Sequence, residues 1–312
     1  MTRPLSWVIG AGGLLGSNVS ASLARRGDVW QPQHPVSWQD PTAPEQIDRA
    51  ARNFLYTANG RPWQIAWCAG SGVIATDRRH FDDESVLFAR LLDALSDSDA
   101  HHEGALFVAS SAGGVYAGSR DAPFSESHQV KALSPYGEAK IALERRAAAW
   151  GTRTGTPVLL GRIANLYGPG QDLRKQQGLI SQLCRAQLLR KPVSLFVPLD
   201  TVRDYIFAAD CGELVAASLE RVRAERGVQV KVLASQQAIS VGAVVNELRR
   251  IFKRAPHIVY GASPTSRYHV RDLRLRSIVW TDLDRRPITP LPAGMGATLL
   301  ELHRALRAGA LS

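Results

Sequence analysis

Three glycines spaced three apart, Gly10, Gly13 and Gly16, separate an apolar run from a helical pattern near the start of the chain. Leu5 to Gly10 has the length and character of a buried strand. Leu14 to Arg26 repeats with helical spacing and stops at Gly27. Glycines at these positions allow a tight strand-to-helix turn, close approach of backbone to a ligand, and close packing of the helix on the strand. The helix start then presents uncovered N–H groups and the positive end of its dipole, which suit a pyrophosphate. Arg3 followed by LSWVIGAGGLLG superficially resembles a secretory leader, but the fixed glycine spacing accounts for it better.

The rest of the first half alternates short apolar runs with longer helical patterns, which implies a parallel α/β sheet. Val29 to Gln31 is a short strand cut off by Pro32, and further strands are expected at Gln64 to Cys68, Ala105 to Ser110 and Pro157 to Arg162. Helical patterns cover Arg79 to Leu95 and Pro135 to Trp150, the latter with Ser134 as N-cap and proline in first position. After Gly168 the pattern loosens. Helices are expected at Leu179 to Leu189, Asp210 to Arg221, after Ser240 to about Phe252, and Ala297 to Arg307, with a strand at Val228 to Leu233. These readings divide the chain into a sheet domain over 1–168, with 204–236 adding to it, and a smaller region over 169–312.

Composition excludes several classes. At 45% apolar and 21% charged residues, the 312-residue chain is ordinary globular protein. Its three cysteines, Cys68, Cys184 and Cys211, are too far apart for a disulfide framework or a zinc spacing. No apolar stretch reaches the length of a membrane span, so no membrane association is expected and a cytoplasmic location is. The formal charge is +10, from 38 Lys+Arg, all but six of them Arg, against 28 Asp+Glu. Arg267, Arg271, Arg274 and Arg276 form the densest basic run, but Tyr268 is its only aromatic neighbour, and no nucleic-acid partner is expected. His101-His102-Glu103 lacks a third ligand at useful spacing, so no metal is expected. Asp82-Asp83-Glu84 opens a helix, where acids complement the dipole, and is expected to form a solvated face.

Two further signals carry chemistry. Tyr136 and Lys140 are four apart at a helix start, hence on one helical face a turn apart. A phenol near pKa 10 is a poor base at neutral pH, and an adjacent ammonium favours the phenolate. An exposed Tyr–Lys surface pair is the alternative; position downstream of a glycine turn favours chemistry. Ser110-Ser111 ends a buried strand and leads into Ala112-Gly113-Gly114-Val115-Tyr116. Strand C-termini are where open α/β sheets place their ligands.

Gly10/Gly13/Gly16, SSAGGVYAG over 110–118 and YGEAK over 136–140 resemble the extended short-chain dehydrogenase/reductases, in their nucleotide-sugar epimerase/dehydratase branch. Arg162-Ile163-Ala164-Asn165 with Leu166-Tyr167-Gly168-Pro169 is similar to that family's RxxNxYGP. Arg203-Asp204-Tyr205-Ile206 with Asp210 is similar to its RDYIxxxD.

The resemblance implies a Rossmann-type, doubly wound parallel sheet with a smaller C-terminal α/β region that binds substrate. It implies NAD or NADP on Gly10, Gly13, Leu14, Leu15 and Gly16, on Ala69 and Gly70, and beside Ser110, with Asp40 reaching the adenine. Tyr136 is the implied acid/base. Lys140 holds the nicotinamide ribose and favours the Tyr136 phenolate, and Ser111 bonds the reacting oxygen. Gly113, Asn165, Arg203 and Arg271 complete the implied substrate site, with arginine suited to a diphosphate. Hydride re-delivered to the opposite face gives epimerisation, the first expectation; net delivery from NADPH makes a 4-keto-sugar-nucleotide reductase, the second. A non-catalytic NAD(P) sensor of the same fold is the third, disfavoured by the intact Tyr136 and Lys140. A homodimer through a four-helix bundle is also implied, with Ala139, Ala142, Ala147 and Ala148 as small apolar surface on the YxxxK helix.

The chain departs from the family pattern in places. Relative to Tyr116, the usual Ser/Thr position holds Ala112, with Ser111 one residue earlier. Gly113-Gly114 stand where water-eliminating members carry Asp-Glu, which argues against a 4,6-dehydratase. Val197 to Val202 replaces the glycine-rich lead-in to RDYI. Trp30-Gln31-Pro32-Gln33-His34 offers no carboxylate after the second strand, which leaves NADP as compatible as NAD.

Overall fold

The computed structural model describes residues 3–70, 78–97, 104–174, 178–261, 268 and 270–309. His101-His102-Glu103 and Arg267 lie outside them. The first half runs β1 (Leu5–Ile9), α1 (Leu14–Ala24), β2 (Asp28–Trp30), α2 (Ala43–Ala58), β3 (Trp63–Trp67), α3 (Arg78–Ser96), β4 (Gly104–Ser111), the single turn α4 (Ala112–Val115), α5 (Pro135–Thr154) and β5 (Val158–Ile163). The second half runs β6 (Asn165–Tyr167), α6 (Leu179–Leu188), β7 (Val193–Leu195), β8 (Val202–Arg203), β9 (Tyr205–Phe207), α7 (Ala208–Glu225) and β10 (Val228–Leu233). Then follow β11 (Ile239–Ser240), α8 (Val241–Phe252), β12 (Ile258–Tyr260), β13 (Asp272–Leu273) and α9 (Leu291–Arg307).

Six strands form one parallel sheet in the order β10-β5-β4-β3-β1-β2, a Rossmann-type α/β fold. Both faces are covered, so the central strands are mostly apolar and their residues alternate between two cores. Val8, Ala66, Phe107 and Leu159 point to the face carrying α1 and α7. Trp7, Ile65, Leu106 and Leu160 point to the face carrying α2, α3 and α5. A third apolar cluster joins α6, α8 and α9 through Leu183, Val244, Leu248, Met295 and Leu302.

The order in which strands are added reverses at β1, which has β2 on one side and β3 on the other, all three running parallel. In an open parallel sheet this opens a crevice at the carboxyl ends of the two central strands, here the Gly10 turn and Ala69-Gly70. Between β2 and α2 the described chain forms no strand: Pro32, Pro35 and Pro41 remove the N–H groups that a further strand needs. α2 was not expected from the sequence. It buries Ile47, Ala50, Ala51, Phe54 and Ala58 along one face and ends at Asn59, whose φ is +45°.

The C-terminal segment is fastened to the sheet by a buried cation. Lys231 on β10 is 0% exposed, and its Nζ donates to Asp284 Oδ1 at 2.9 Å, Ser277 Oγ at 3.1 Å and the Val279 carbonyl at 2.8 Å. Glu126 accepts from the Val232 and Ile278 amides at 2.8 and 2.9 Å, which ties a loop of the first half to the same place. Among the described residues no helix is long and apolar enough to cross a membrane.

Candidate active site

The glycine turn has the shape its spacing implies. Gly10 has φ +88°, and a Cβ there would lie 2.7 Å from the Ala69 nitrogen, so the ends of β1 and β3 touch. A Cβ on Gly16 would fall 2.1 Å from the Gly10 carbonyl oxygen, which fixes glycine where α1 sits on the turn. Gly13 is the N-cap and brings no side-chain bond, and the first turn of α1 holds no acid. The amides of Leu14, Leu15 and Gly16 therefore lack a capping acceptor and point their partial charge out of the helix. A Cβ at Gly12 would meet nothing within 4 Å, so the turn is open on its outer side. Uncovered amides, an open turn and a first helical turn without an acid fit a diphosphate.

Across the crevice, Ser134 caps α5 by accepting from the Gly137 amide at 3.2 Å, and Pro135 occupies the first turn. This sets Tyr136 and Lys140 on one face, with Lys140 Nζ 5.9 Å from the centre of the Tyr136 ring. The ring lies between Phe81, at 6.0 Å between centroids, and the α4 turn, where a Gly114 Cβ would come within 3.2 Å of it. Lys140 is buried, and its Nζ donates to Glu84 Oε1 at 2.9 Å. The Trp67 indole donates to the same oxygen at 3.4 Å. Burial opposes the ammonium charge, but Glu84 and Tyr136 outweigh it and hold Lys140 above its ordinary value.

Glu84 corrects an expectation. Asp82 and Asp83 are exposed as a solvated helix start would be, but Glu84 is 7% exposed and faces the site. Helical periodicity from Phe81 through Leu87, Phe88 and Leu91 puts position 84 on the inner face of α3, a signal already present in the sequence.

Ser110 and Ser111 point to opposite sides of β4. Ser110 is buried and donates to Glu144 Oε1 at 2.5 Å. Glu144 accepts two bonds from Arg162, Nε at 3.1 Å and Nη2 at 2.8 Å, and Arg162 Nη1 reaches the Tyr116 hydroxyl at 2.8 Å. Tyr116 in turn donates to the Ser125 carbonyl at 2.7 Å. This chain of bonds holds β4, β5 and α5 in register behind the site, with Ser110 as a structural member. Ser111 is partly exposed and caps α4 by accepting from the Gly114 amide at 3.2 Å, which leaves its own proton to donate. Ala112, the alternative Ser/Thr position, is fully buried. A Cβ at Gly113 would lie 3.9 Å from Ser111 Oγ and 3.4 Å from Leu273, so position 113 faces the segment carrying β13.

On that side, Asn165 Nδ2 donates to the Asp204 carbonyl at 3.0 Å, where β6 pairs with β9. Arg203 is half-buried and donates to the Val202 carbonyl at 2.8 Å, and no ion pair found among the described residues engages it. Burial lowers its proton affinity, partly offset by Tyr205 and Asp272. Arg271 is exposed and paired with Asp200, just ahead of the strand that pairs with that of Arg203. Arg274 is paired with Asp272 at 2.8 Å. Arg274 and Arg276 alternate with buried Leu273, Leu275 and Ser277 and so share one outer face of an extended segment, with exposed Arg271 just ahead of it. Asp40 Oδ1 accepts from the Thr42 amide and hydroxyl at 2.8 and 2.7 Å, which makes it the turn that starts α2. Asp210 accepts from the Thr289 amide and hydroxyl at 2.6 and 3.0 Å and anchors the segment leading to α9. Burial pushes the Cys68 and Cys211 thiols up, leaving both protonated.

The expected apolar surface of α5 is smaller than the sequence implies. Ala147 is fully buried in the core, Ala139 and Ala148 are half-buried, and Ala142 is exposed.

A parallel sheet with a glycine turn at its switch point, facing a Tyr–Lys helix, defines the nicotinamide-dinucleotide class of α/β proteins. The family model "NAD dependent epimerase/dehydratase family" matches residues 7–232, and the chain belongs to that family. It is 26% identical over 179 residues to the "Uncharacterized UDP-glucose epimerase YtcB" of Bacillus subtilis, covering 54% of this chain and 55% of that one. It is 30% identical over 115 residues to the "dTDP-4-dehydro-6-deoxyglucose reductase" of Escherichia coli, covering 37% of this chain and 36% of the other. The matched stretches thus span about half or less of these relatives. In structure the chain is similar to the UDP-glucose 4-epimerase of Thermus thermophilus, solved with NAD, at a TM-score of 0.77 and 21% identity, covering 96% and 99% of the two chains.

Proposed function

We propose that this protein is a nicotinamide-dependent enzyme that moves hydride to and from a carbinol carbon of a nucleotide-activated sugar, with epimerisation as its reaction. The carrying observation is Tyr136 beside the buried Lys140, across the crevice from an anion-ready glycine turn. The residues suited to the cofactor are Gly10, Gly13, Leu14, Leu15 and Gly16 for the diphosphate, Ala69 and Gly70 for the wall, and Lys140 for the ribose next to Tyr136. Asp40 is the candidate for the adenine through its remaining oxygen, and Ser110 supports the wall from behind. The nicotinamide, when bound, supplies the hydride acceptor and donor. Tyr136 takes the proton of the sugar hydroxyl and returns it, and Ser111 donates to the same oxygen.

Neither a carboxylate nor a Lys or Arg directly follows β2, so the residues after β2 select neither NAD nor NADP. Gly113, Asn165, Arg203 and Arg271 form the substrate side, and 1–168 with 204–236 act as the cofactor-binding part against the substrate-binding 169–312. A homodimer through a four-helix bundle that includes α5, and a cytoplasmic site of action, belong to the same proposal. The reading of a 4-keto-sugar-nucleotide reductase is favoured by the Escherichia coli relative, and stoichiometric consumption of reduced nicotinamide separates it from epimerisation.

Arg203 supplies the test of the substrate class. A half-desolvated guanidinium that forms no ion pair among the described residues is suited to a diphosphate. Charge-assisted hydrogen bonds of about 1.5–3 kcal/mol correspond to about 10- to 100-fold in affinity. Arg203→Ala is therefore expected to weaken nucleotide-sugar binding by that factor in calorimetry while leaving cofactor affinity unchanged. Equal binding of the sugar nucleotide to both proteins contradicts the assignment.

A further inference from the structure

Glu84 brings a carboxylate from α3 to the acid/base pair on α5. The side chains of Lys140 and Glu84 are 8% and 7% exposed, and their contact of 2.9 Å is direct. Oε1 is shared by the Lys140 ammonium and the Trp67 indole. Oε2 points to the wall of the crevice, since a Cβ at Gly70 would lie 2.9 Å from it. Among the described residues, the other charged or titratable groups around the pair are few. Cys68, at the end of β3, stays a neutral thiol through burial. Asp82 and Asp83 on α3 and Glu138 on α5 are exposed to solvent. Arg162, on β5, is already matched by Glu144. Tyr136 therefore sees a compensated ion pair in place of a lone cation.

We infer that Glu84 is a positioning residue of the reaction: it fixes the Lys140 ammonium beside Tyr136 and cancels most of its field there, so the Tyr136–Lys140 pair releases its first proton at a higher pH than it would without the carboxylate. The inference rests on the reading of Tyr136 as the acid/base. Its sign does not depend on which of the two groups loses the proton. Coupled groups titrate as a pair, and taking a negative charge from beside them favours the deprotonated state of the pair. A purely structural Glu84 would alter stability and leave the pH dependence in place.

The protein loaded with a nicotinamide cofactor tests this through the pH profile of kcat/KM for Glu84→Gln against the parent. A phenolate absorbance titration, with Tyr136→Phe as the blank, gives a readout that needs no turnover. Both the acid limb of the profile and the phenolate signal are expected to move to lower pH by about one unit in Glu84→Gln. Glu84→Asp, which keeps the charge on a shorter stem, is the second variant should Glu84→Gln not fold. It is expected to move both in the same direction by less. A limb and a phenolate signal that stay in place, or move to higher pH, in a folded variant overturn the inference. Loss of activity in Tyr136→Phe with an unmoved limb in Glu84→Gln removes the role of Glu84 alone. Full activity in Tyr136→Phe removes the acid/base reading beneath it.

Discussion

Tyr136→Phe is expected to lower turnover by about 10²- to 10⁴-fold, the range supplied by a positioned acid/base group. The substitution deletes one hydroxyl and keeps the ring that packs between Phe81 and the Gly114 turn. The fold and the cofactor affinity should thus survive, and the loss should fall on kcat. Lys140 and Ser111 remain in the variant, but neither replaces the phenol: Lys140 is bound to Glu84, and Ser111 carries an unactivated hydroxyl. Steady-state kinetics with a nucleotide sugar, alongside calorimetric cofactor binding, separates this outcome from a damaged fold. Undiminished kcat in a variant that binds cofactor normally contradicts the assignment of Tyr136.

The largest effect on stability is expected at Glu144. Its carboxylate faces Arg162 in a pair whose side chains are 6% and 8% exposed, and it also accepts from Ser110. Glu144→Ala leaves a guanidinium buried without its counter-charge, a change that typically costs about 3–5 kcal/mol. Tyr116 alone cannot match that charge, because burial already raises the pKa of its phenol and keeps it neutral. Arg52→Ala, which breaks an exposed pair with Asp48 at 3.0 Å, is expected to change stability little, because water screens the pair. Urea unfolding of the two variants measures the difference, and equal losses would show that the Glu144 cluster is not a structural anchor. Because Ser110 precedes Ser111 on β4, a folded Glu144 variant should also lose some activity through a loosened strand end.

Much of this architecture is legible in the sequence because parallel sheets demand local features. Apolar runs, a glycine turn and a Ser-Pro helix start each answer a short-range requirement of the backbone. β10 and α8 begin and end where their patterns place them, since Gly227 and Ser240 mark those boundaries chemically. α2 was missed because alanines make up much of its buried face, and alanine weighs little in an apolar pattern. The short strands β6 to β9 and β11 to β13, two or three residues each, are made by tertiary pairing and carry no period of their own.

The candidate site divides in the same way. Gly10, Gly16, Tyr136 and Lys140 stand out because turn geometry and helical spacing are local. Glu84 is 56 residues from Lys140, and its partner is visible in the fold alone, although the inward period of α3 already set it apart from Asp82 and Asp83. The Lys231–Asp284 and Asp210–Thr289 contacts likewise join distant segments, and no motif announces them.

The central claim is reversible hydride transfer at one carbon of a nucleotide sugar. The most direct measurement follows nucleotide sugars deuterated at the carbinol carbon, incubated with the purified protein and nicotinamide cofactor, by NMR. An epimer that keeps its deuterium at the inverted carbon is expected, with no net change in nicotinamide absorbance. Inversion accompanied by loss of the label to solvent would contradict it, as would cofactor binding with no conversion of any sugar nucleotide in the panel.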